Sequence, residues 1–417
     1  METERIIMNE KKSTVLIKIM IVLVTLSAGV ANLIAPVLST LSELYPNVSE
    51  NVIIMANTVP YLTAIPTSLL CANICRRMGT KKTVLVSILL EGLGGALPVL
   101  FSDFSMILVS RAIFGLGWGI LMTVPLALVG EYLPLAEQAG FIGIVMAMMS
   151  VGSSGYTMLG GALAGNMKVL WATHLVTAVF FVPILFSFPK DRKADASSAA
   201  ADQATATKGK AKIPVAFYIL LVINMIMAGI VVQGMNLSSF FIEDSGLGGP
   251  ALAASVLTTY GIANMVGGVL SGAGVKLMKK NSALITCAIV GVTYIWFAYS
   301  PNAVMLFASM IVSGVIIGIM NSVVFVHNGW VVPAESNDIA ASLTQGTNMV
   351  SGFFLVYIPS IIAQVIGVGS SYRAQYVIIG VLFFAIAIGY TVVLNAKGVK
   401  ENVDKVLAET YSANTAE

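Results

Sequence analysis

Four ionisable side chains with the potential for chemistry lie in long apolar stretches of the chain. Arg111 and Glu91 lie deep within such stretches, and His174 and His327 are the two histidines of the sequence. Ionisable groups in an apolar layer are energetically expensive and usually mark a path for a substrate or for protons. Arginine keeps its charge and needs an anion or another acceptor, so Arg111 is a candidate for substrate binding. Glu91, His174 and His327 can exchange protons and are candidates for proton coupling. The alternative for each is a hydrogen bond between helices.

The positions of the two charges limit how they can interact. Glu91 is eight residues from the start of one apolar stretch, and Arg111 is seven residues from the start of the next, which runs in the opposite direction. At the rise of an α-helix, their depths in a membrane would differ by roughly 8 Å. A direct ion pair between them would therefore be strained.

The composition is that of a membrane protein rather than a soluble one. Hydrophobic residues make up 57% of the 417 residues and charged residues only 10%, with a mean hydropathy of +0.89. A soluble domain needs more polar surface to cover its core. The sequence has no phosphate-binding lysine motif, catalytic triad or cluster of metal ligands, so we expect neither an enzyme nor a cofactor or metal. Apart from Arg111, basic residues are confined to the loops and helix ends, which argues against nucleic acid as a partner.

Apolar runs of about 20 residues, long enough to cross a bilayer, recur along the chain. They predict an all-α membrane protein with twelve transmembrane helices in two six-helix halves. The predicted spans are 15–41, 50–75, 83–101, 104–129, 140–164, 170–188, 214–238, 250–275, 282–300, 303–330, 337–366 and 372–395. Residues 194–212 contain no large apolar residue and predict a disordered linker. The predicted organisation is a first half at 1–189, a cytoplasmic linker at 190–213, a second half at 214–396 and a cytoplasmic tail at 397–417.

Basic residues are distributed unequally between the two sides of these predicted helices. Twenty of the 23 lysines and arginines fall on one side, and only Lys168 and Arg373 fall on the other. Because basic loops stay in the cytoplasm, we expect a multi-pass plasma-membrane protein with both termini and the linker in the cytoplasm. In the tail, Val399, Val403 and Leu407 share one helical face, which predicts a short amphipathic helix on the inner membrane surface.

The two halves carry related basic turns, which indicate an internal repeat. Residues 76–82 (Arg-Arg-Met-Gly-Thr-Lys-Lys) follow the second predicted helix, and residues 276–280 (Lys-Leu-Met-Lys-Lys) follow the eighth. Two six-helix halves joined by a long cytoplasmic loop are a known plan for transporters. With these features the chain resembles the major facilitator superfamily, and within it the drug:proton antiporter branch.

One motif behind this resemblance is the loop after helix 2. The family pattern reads G-x-L-A-D-R-x-G-R-K, and the chain keeps its Arg, its second Gly and its final Lys as Arg77, Gly79 and Lys81. Arg76 stands where the family has Asp. In the family that Asp contributes to a charge-relay latch between the halves, so the resemblance implies a different or weaker latch in this chain.

Two further motifs lie in predicted helices 4 and 5. Arg111 and the following Gly115 match an Arg-and-glycine motif of helix 4. The antiporter signature of helix 5, G-x3-G-P-x2-G-G, is matched in part, with Tyr156 in place of the Pro. Its glycines in this chain are Gly155, Gly160 and Gly161. Many proton-coupled relatives carry an acid in helix 1, where Asn32 is the only deep polar side chain of this chain apart from hydroxyls. This departure from the family pattern weakens the case for proton coupling.

Amide side chains in the second half are candidates for orienting a small organic ligand. Gln233 and Asn236 of helix 7 are an i, i+3 pair and share a helix face. Gln345 and Asn348 of helix 11 form a second such pair, and Asn328 of helix 10 is a further candidate. Hydrogen bonding between helices is the alternative for each of them.

These features favour a secondary transporter that works by alternating access, with the lipid bilayer and a small molecule as its partners. The resemblance implies proton-coupled export of a small organic compound by a monomer. The first alternative is uptake or exchange of a small organic anion, whose carboxylate Arg111 would bind. A membrane receptor or scaffold that transports nothing is a further alternative, although the sequence has little chain outside the helices to serve it.

Overall fold

The computed structural model describes residues 2–133, 135–187, 213–333 and 336–412, and the regular structure within these ranges is helical. Eleven stretches of this described chain are long and apolar enough to cross a membrane. One of them, Pro250–Ala298, spans 49 residues and contains two helices. The predicted twelve-helix membrane architecture is therefore confirmed. The predicted linker at 190–213 lies, apart from its last residue, outside the described residues.

We number the membrane helices α1 to α12 along the chain and the tail helix α13. Their bounds are α1 Val15–Leu44, α2 Glu50–Met78, α3 Thr80–Val99, α4 Phe104–Tyr132, α5 Leu135–Ala162, α6 Met167–Phe186, α7 Val215–Asp244, α8 Pro250–Met278, α9 Ser282–Ala298, α10 Ala303–Val331, α11 337–365, α12 Tyr372–Leu394 and α13 Val399–Ser412. The chain forms two compact units, Met1–Gly209 and Lys210–Glu417, which we call unit 1 and unit 2.

Glycines allow α4 to lie directly against two neighbouring helices of unit 1. A Cβ at Gly115 would be 2.5 Å from the carbonyl oxygen of Pro60 in α2, and a Cβ at Gly117 would be 2.3 Å from that of Ser87 in α3. Both distances are too short for any side chain, so the backbones approach this closely only because these positions are glycine. The alternating glycines of α4 are therefore a packing device for two helix contacts.

The first helix is irregular in its second half. There the α-helix gives way to two short 3₁₀ segments, Gly29–Leu33 and Ala35–Val37. α5 packs against this part through a glycine, since a Cβ at Gly160 would lie 2.0 Å from the carbonyl oxygen of Leu33. By contrast, a Cβ at Gly155 would meet no atom within 4 Å. The glycines of the helix-5 motif therefore do not all serve the same purpose.

Unit 2 repeats the glycine contact of unit 1 with other residues. Gly314 and Gly318 of α10 face α8. A Cβ at these positions would lie 2.6 Å from the carbonyl oxygen of Tyr260 and 2.2 Å from that of Asn264, respectively. This contact between α10 and α8 is the counterpart of the one that Gly115 makes between α4 and α2, as expected for an internal repeat.

α11, predicted as one continuous helix, is interrupted in the middle. An α-helical part, Asn337–Val350, is followed by a π-helical turn at Ser351–Leu355, and the α-helix resumes at Ile358–Val365. Such π turns contain one extra residue and are frequent at functional sites. Gly229 of α7 lies against this turn, because a Cβ there would be 2.8 Å from Leu355.

The tail forms the predicted helix, α13, and part of it docks on unit 2. Val403 is fully buried, and Asn402 Nδ2 donates a hydrogen bond to the carbonyl oxygen of Trp330 in α10 at 2.8 Å. Asp404 Oδ1 lies 3.6 Å from Lys280 Nζ. Val403 thus contacts protein, whereas we expected this face to lie on membrane lipid.

The turns after α2 and α8 both contain a residue with positive φ. Gly79 has φ +83°, and Lys279, its counterpart in the second half, has φ +48° with ψ −128°. Residues with a Cβ clash with their own backbone in this region, which costs about 1–3 kcal/mol. Lys279 therefore occupies a turn for which glycine is better suited.

We predict that Lys279→Gly raises the free energy of unfolding by roughly 1 kcal/mol, because glycine reaches this φ without a Cβ clash. Lys276→Gly is the matched control. It removes the same charge but places glycine in the last turn of α8, where it should lower stability by about 1 kcal/mol. Thermal unfolding midpoints of the purified proteins in detergent compare the two, and equal midpoints would contradict a strained turn.

Candidate functional site

The strongest candidate for a functional site surrounds Arg111, which is fully buried in unit 1. Its Nε donates to the carbonyl oxygen of Ala56 in α2 at 2.8 Å, and its Nη1 lies 3.1 Å from Nε2 of His174 in α6. The guanidinium carbon lies 4.1 Å from the centre of the Phe114 ring, whose negative face attracts a cation. Arg111 thus links α2, α4 and α6.

Prolines explain why backbone oxygens are available for these bonds. Pro60 has no N–H, so the carbonyl of Ala56, four residues earlier, lacks its helical partner and can accept from the guanidinium. The arrangement recurs nearby, where Pro98 leaves the carbonyl of Gly94 without a helical partner and the hydroxyl of Ser110 donates to it. In the pair of Arg111 and Ala56, a buried charge and a buried carbonyl, each costly alone, therefore satisfy each other.

His174 is held as a neutral hydrogen-bonding group. It lies in a 3₁₀ segment of α6, Thr173–Thr177, with Nδ1 3.1 Å from the carbonyl oxygen of Trp171. A carbonyl only accepts and a guanidinium only donates, so Nδ1 must carry the hydrogen and Nε2 must accept from Arg111. Both nitrogens are engaged in this arrangement, which favours an anchoring role for His174 over proton transfer.

Neighbouring residues fix the orientation of this imidazole. A Cβ at Gly95 of α3 would be 2.1 Å from Cδ2 of His174, so only glycine fits there. Trp171 stacks parallel to the imidazole at 5.9 Å, and Phe114 meets it edge-on at 5.6 Å between ring centres. The packing therefore keeps Nε2 directed at Arg111.

Glu91 of α3 is fully buried, and among the described residues neither of its carboxylate oxygens has a hydrogen-bond partner. Its backbone packs at the level of Gly117, which is about 9 Å along α4 from Arg111 at the helical rise. Arg111 is nevertheless the charged residue that acts on Glu91 electrostatically. Its Nη2 is also buried and makes no hydrogen bond within the described chain. A carboxyl and a guanidinium nitrogen of unit 1 are thus both buried and both without a hydrogen-bond partner among the described residues.

In unit 2, Gln233 begins a chain of hydrogen bonds that joins α7, α11 and α12. Gln233 Nε2 donates to Ser360 Oγ at 2.9 Å, and Ser360 Oγ donates to Gln375 Oε1 at 2.8 Å. Gln375 Nε2 then donates to the carbonyl oxygen of Gly369 at 3.0 Å. Asn236, predicted to share a face with Gln233, is fully buried as well. The two residues therefore lie inside unit 2, where Gln233 serves at least one contact between helices.

A second polar network joins α7, α10, α11 and α12. Asn224 Nδ2 donates to Asn328 Oδ1 at 3.3 Å, and Asn328 Nδ2 donates to Thr344 Oγ1 at 2.7 Å. The hydroxyl of Tyr390 donates to Asn224 Oδ1. Both ends of the Asn328 amide are thus bonded to other helices, which favours the interhelical alternative for this predicted ligand.

His327 of α10 lies beside this network. Its Nε2 is 2.8 Å from Ser282 Oγ in α9, and its ring centre is 4.6 Å from that of Trp330. Its Nδ1 is buried and has no hydrogen-bond partner in the part of the chain that the structure describes. Unlike His174, His327 therefore has one ring nitrogen without a hydrogen-bond partner among the described residues.

The remaining predicted site residues lie in α11, in the loop motif and in α5. Asn348 of α11 is exposed, and the side chain of Gln345 lies outside the described residues. In the loop motif, Arg77 is exposed in the last turn of α2 and Lys81 lies in the first turn of α3. Gly161 is buried in α5.

Sequence reasoning missed several members of the polar networks. Ser360 and Thr344 are hydroxyls in apolar helices, where such residues are common and form no distinctive pattern. Tyr390 is equally ordinary in sequence. Gln375 is the one residue with a usable signal, since it is the sole amide within α12 before its C-terminal end.

Two packed sets of six apolar helices with buried polar groups indicate a multi-pass membrane protein, and comparison with known proteins identifies its family. A model of the Major Facilitator Superfamily matches residues 19–356. The chain therefore belongs to this superfamily of transporters and not to an enzyme family.

Curated relatives match only part of the chain. It is 26% identical over 166 residues to the MFS-type transporter TwmF of Talaromyces wortmannii, over 40% of this chain and 29% of TwmF. The efflux pump ustT of Ustilaginoidea virens is 31% identical over 103 residues, covering 24% of this chain and 19% of ustT. The hexuronate transporter of Bacillus subtilis is 26% identical over 153 residues, 34% of each chain. The match thus spans 19–34% of the length of these relatives.

Solved structures match almost the whole chain in fold. A D-xylose-proton symporter aligns with a TM-score of 0.72 at 14% identity, over 90% of this chain and 96% of that one. The inward-open xylose transporter XylE from E. coli aligns with a TM-score of 0.70 at 13% identity, over 94% and 99%. At this identity the likeness concerns the fold alone.

We predict that Gly95→Ala destabilises the protein by about 1–3 kcal/mol, because the added methyl group forces His174 away from Arg111. Gly155→Ala is the control, since its Cβ meets no neighbour and alanine is the better helix former. Thermal unfolding in detergent should show a lower midpoint for Gly95→Ala and an unchanged or higher one for Gly155→Ala. A Gly95→Ala variant as stable as the wild type would show that α3 does not fix the imidazole.

Proposed function

We propose that this protein couples the export of a small organic compound to the entry of protons, and that Glu91 takes up and releases the proton. The observation that carries this proposal is a fully buried carboxyl without a hydrogen-bond partner among the described residues. A charged carboxylate without a donor is unstable in an apolar bundle. The neutral, protonated form is the one that these surroundings support.

Release of the proton requires a partner for the resulting charge, and Arg111 is suited to supply one through its unsatisfied Nη2. A carboxylate at Glu91 would draw the guanidinium towards α3 and away from Ala56 and His174. Because those two contacts join α2, α4 and α6, the charge of Glu91 would influence the packing of unit 1. Protonation would reverse the change. Such a link between a proton and helix packing is what coupled alternating access requires.

Export as the direction of transport is supported by the helix-5 motif and by one relative. Gly160, kept from the antiporter signature, forms a tight contact with α1. The relative ustT is named an efflux pump. On the charge asymmetry of the loops, we place the protein in the plasma membrane with both termini in the cytoplasm, and we expect it to act as a monomer.

Uptake of a small organic anion is a second candidate function, and two observations favour it. Arg111 Nη2 is a buried donor with no acceptor among the described residues. The matching Bacillus protein is named a hexuronate transporter, and hexuronates are sugar carboxylates. The complete burial of the guanidinium, with its Nε and Nη1 already bonded inside unit 1, favours the first function.

We predict that Glu91→Gln still binds and exchanges substrate but no longer accumulates it under a pH gradient, because glutamine resembles protonated glutamate and cannot release a proton. His174→Gln is the matched control. Glutamine can both donate to a carbonyl and accept from a guanidinium, so pH-driven accumulation should persist. Uptake of ethidium into proteoliposomes under a pH gradient measures accumulation by both variants. Undiminished accumulation by Glu91→Gln would assign Glu91 a structural role and make His327 the next candidate for the proton site.

The sign of the gradient separates the two candidate functions. A proton antiporter accumulates its substrate in vesicles that are acidic inside, whereas a proton symporter does so in vesicles that are acidic outside. We expect ethidium to accumulate in acid-inside vesicles. Accumulation of a hexuronate in acid-outside vesicles would instead establish anion uptake.

A further inference from the structure

A cleft in unit 2 lies where α9 begins and α12 ends, and it combines polar and apolar walls. It is a shallow groove, and the ≈ 220 Å³ of empty space along it includes open solvent at its mouth. Its polar lining includes Lys280, Asn281, Thr391 and Asn395, and its apolar lining includes Leu284 and Leu394. The cleft opens at the side of the predicted membrane layer that carries most of the basic residues.

Lys280 is the one charged residue in the lining of this cleft, and its present partner holds it weakly. Its Nζ lies 3.6 Å from Asp404 of α13, with the two side chains 22% and 51% exposed. Ion pairs this exposed contribute little to stability, so a stronger anion can replace the carboxylate. Asn281 provides an amide donor, and the Asn395 amide, which bonds the carbonyl oxygen of Thr391 through one N–H, has a second N–H to offer. The N-terminal end of α9 also favours negative charge.

Apolar side chains are exposed on both helices next to the cleft. Ile388 and Val392 of α12 are 62% and 64% exposed, and Ile285 of α9 is 37% exposed. Residues 388 and 392 are four apart and so form one stripe on the helix. A ligand with an anionic head and a hydrocarbon chain matches the cleft and this neighbouring surface, whereas a free anion matches only the cleft.

We propose that this cleft binds the headgroup of an anionic phospholipid, with its phosphate at Lys280 and its acyl chains against Ile388 and Val392. Basic pockets between membrane helices on the cytoplasmic side suit such headgroups. Asp404 of the tail then competes with the lipid for the same ammonium. The site is independent of the proposed proton coupling, because no residue of the Arg111 cluster belongs to it.

Binding can be measured on the full-length protein in non-ionic detergent micelles, which makes the result independent of membrane orientation. Phosphatidylglycerol is titrated as the anionic lipid, phosphatidylcholine with the same acyl chains as the neutral one, and glycerol phosphate as a headgroup without chains. Native mass spectrometry reports the bound fraction. Lys280→Gln, Asp404→Asn and the control Lys276→Gln, an exposed lysine of α8 outside the cleft, are compared with the wild type.

The proposal predicts effects of opposite sign for the two partners of the ion pair. Phosphatidylglycerol should bind more tightly than phosphatidylcholine, and glycerol phosphate should not displace it. Lys280→Gln should weaken phosphatidylglycerol binding about five-fold, the effect of one lysine near an anionic lipid. Asp404→Asn should strengthen it, and Lys276→Gln should leave it within about two-fold. Equal losses in Lys276→Gln and Lys280→Gln, no gain in Asp404→Asn, or displacement by glycerol phosphate would each overturn the proposal.

Discussion

The buried guanidinium of Arg111 sets the main constraint on unit 1. A charge that cannot be neutralised needs acceptors wherever it lies, and in a regular helix each carbonyl already accepts one backbone bond, which leaves weaker acceptors than a carbonyl without a helical partner. Pro60 removes one helical bond in α2 and so provides one acceptor, and the imidazole of His174 provides the second. The glycine at position 95 and the 3₁₀ segment of α6 are what allow that imidazole to come close enough.

The same constraint explains how a single carboxyl can influence several helices. Glu91 lies on α3, which touches α4 at Gly117 and α6 through Gly95. Electrostatic interactions are weakly screened in an apolar interior, so the charge of Glu91 acts on the guanidinium without a direct contact. In unit 2 the bonds through Gln233 and Asn328 join neutral amides and hydroxyls, which orient their partners but carry no charge to gain or lose. The two units therefore pack alike but differ in chemistry.

Much of the helical plan could be predicted from the sequence, because apolar runs of membrane length and basic turns are local signals. The breaks in the helices could not be predicted, since the π turn at Ser351–Leu355 and the 3₁₀ segment at Thr173–Thr177 are recognised only in the folded chain. The contact between Arg111 and His174 also depends on which helices are neighbours. By contrast, the acceptor freed by Pro60 could have been anticipated, because a proline inside a helix always releases the carbonyl four residues earlier.

The glycine contact that α4 makes with α2 recurs between α10 and α8, but its surroundings differ in one respect. Four residues before the repeated glycine lie Arg111 in α4 and Met310 in α10. The residue that the glycine touches is Pro60 in α2 and Tyr260 in α8. The arginine and the proline that frees its acceptor therefore have no counterparts at the matching positions of the second half. The two residues depend on each other, because the guanidinium without the proline would lose its strongest acceptor and the proline without the guanidinium would leave a buried carbonyl without a bond.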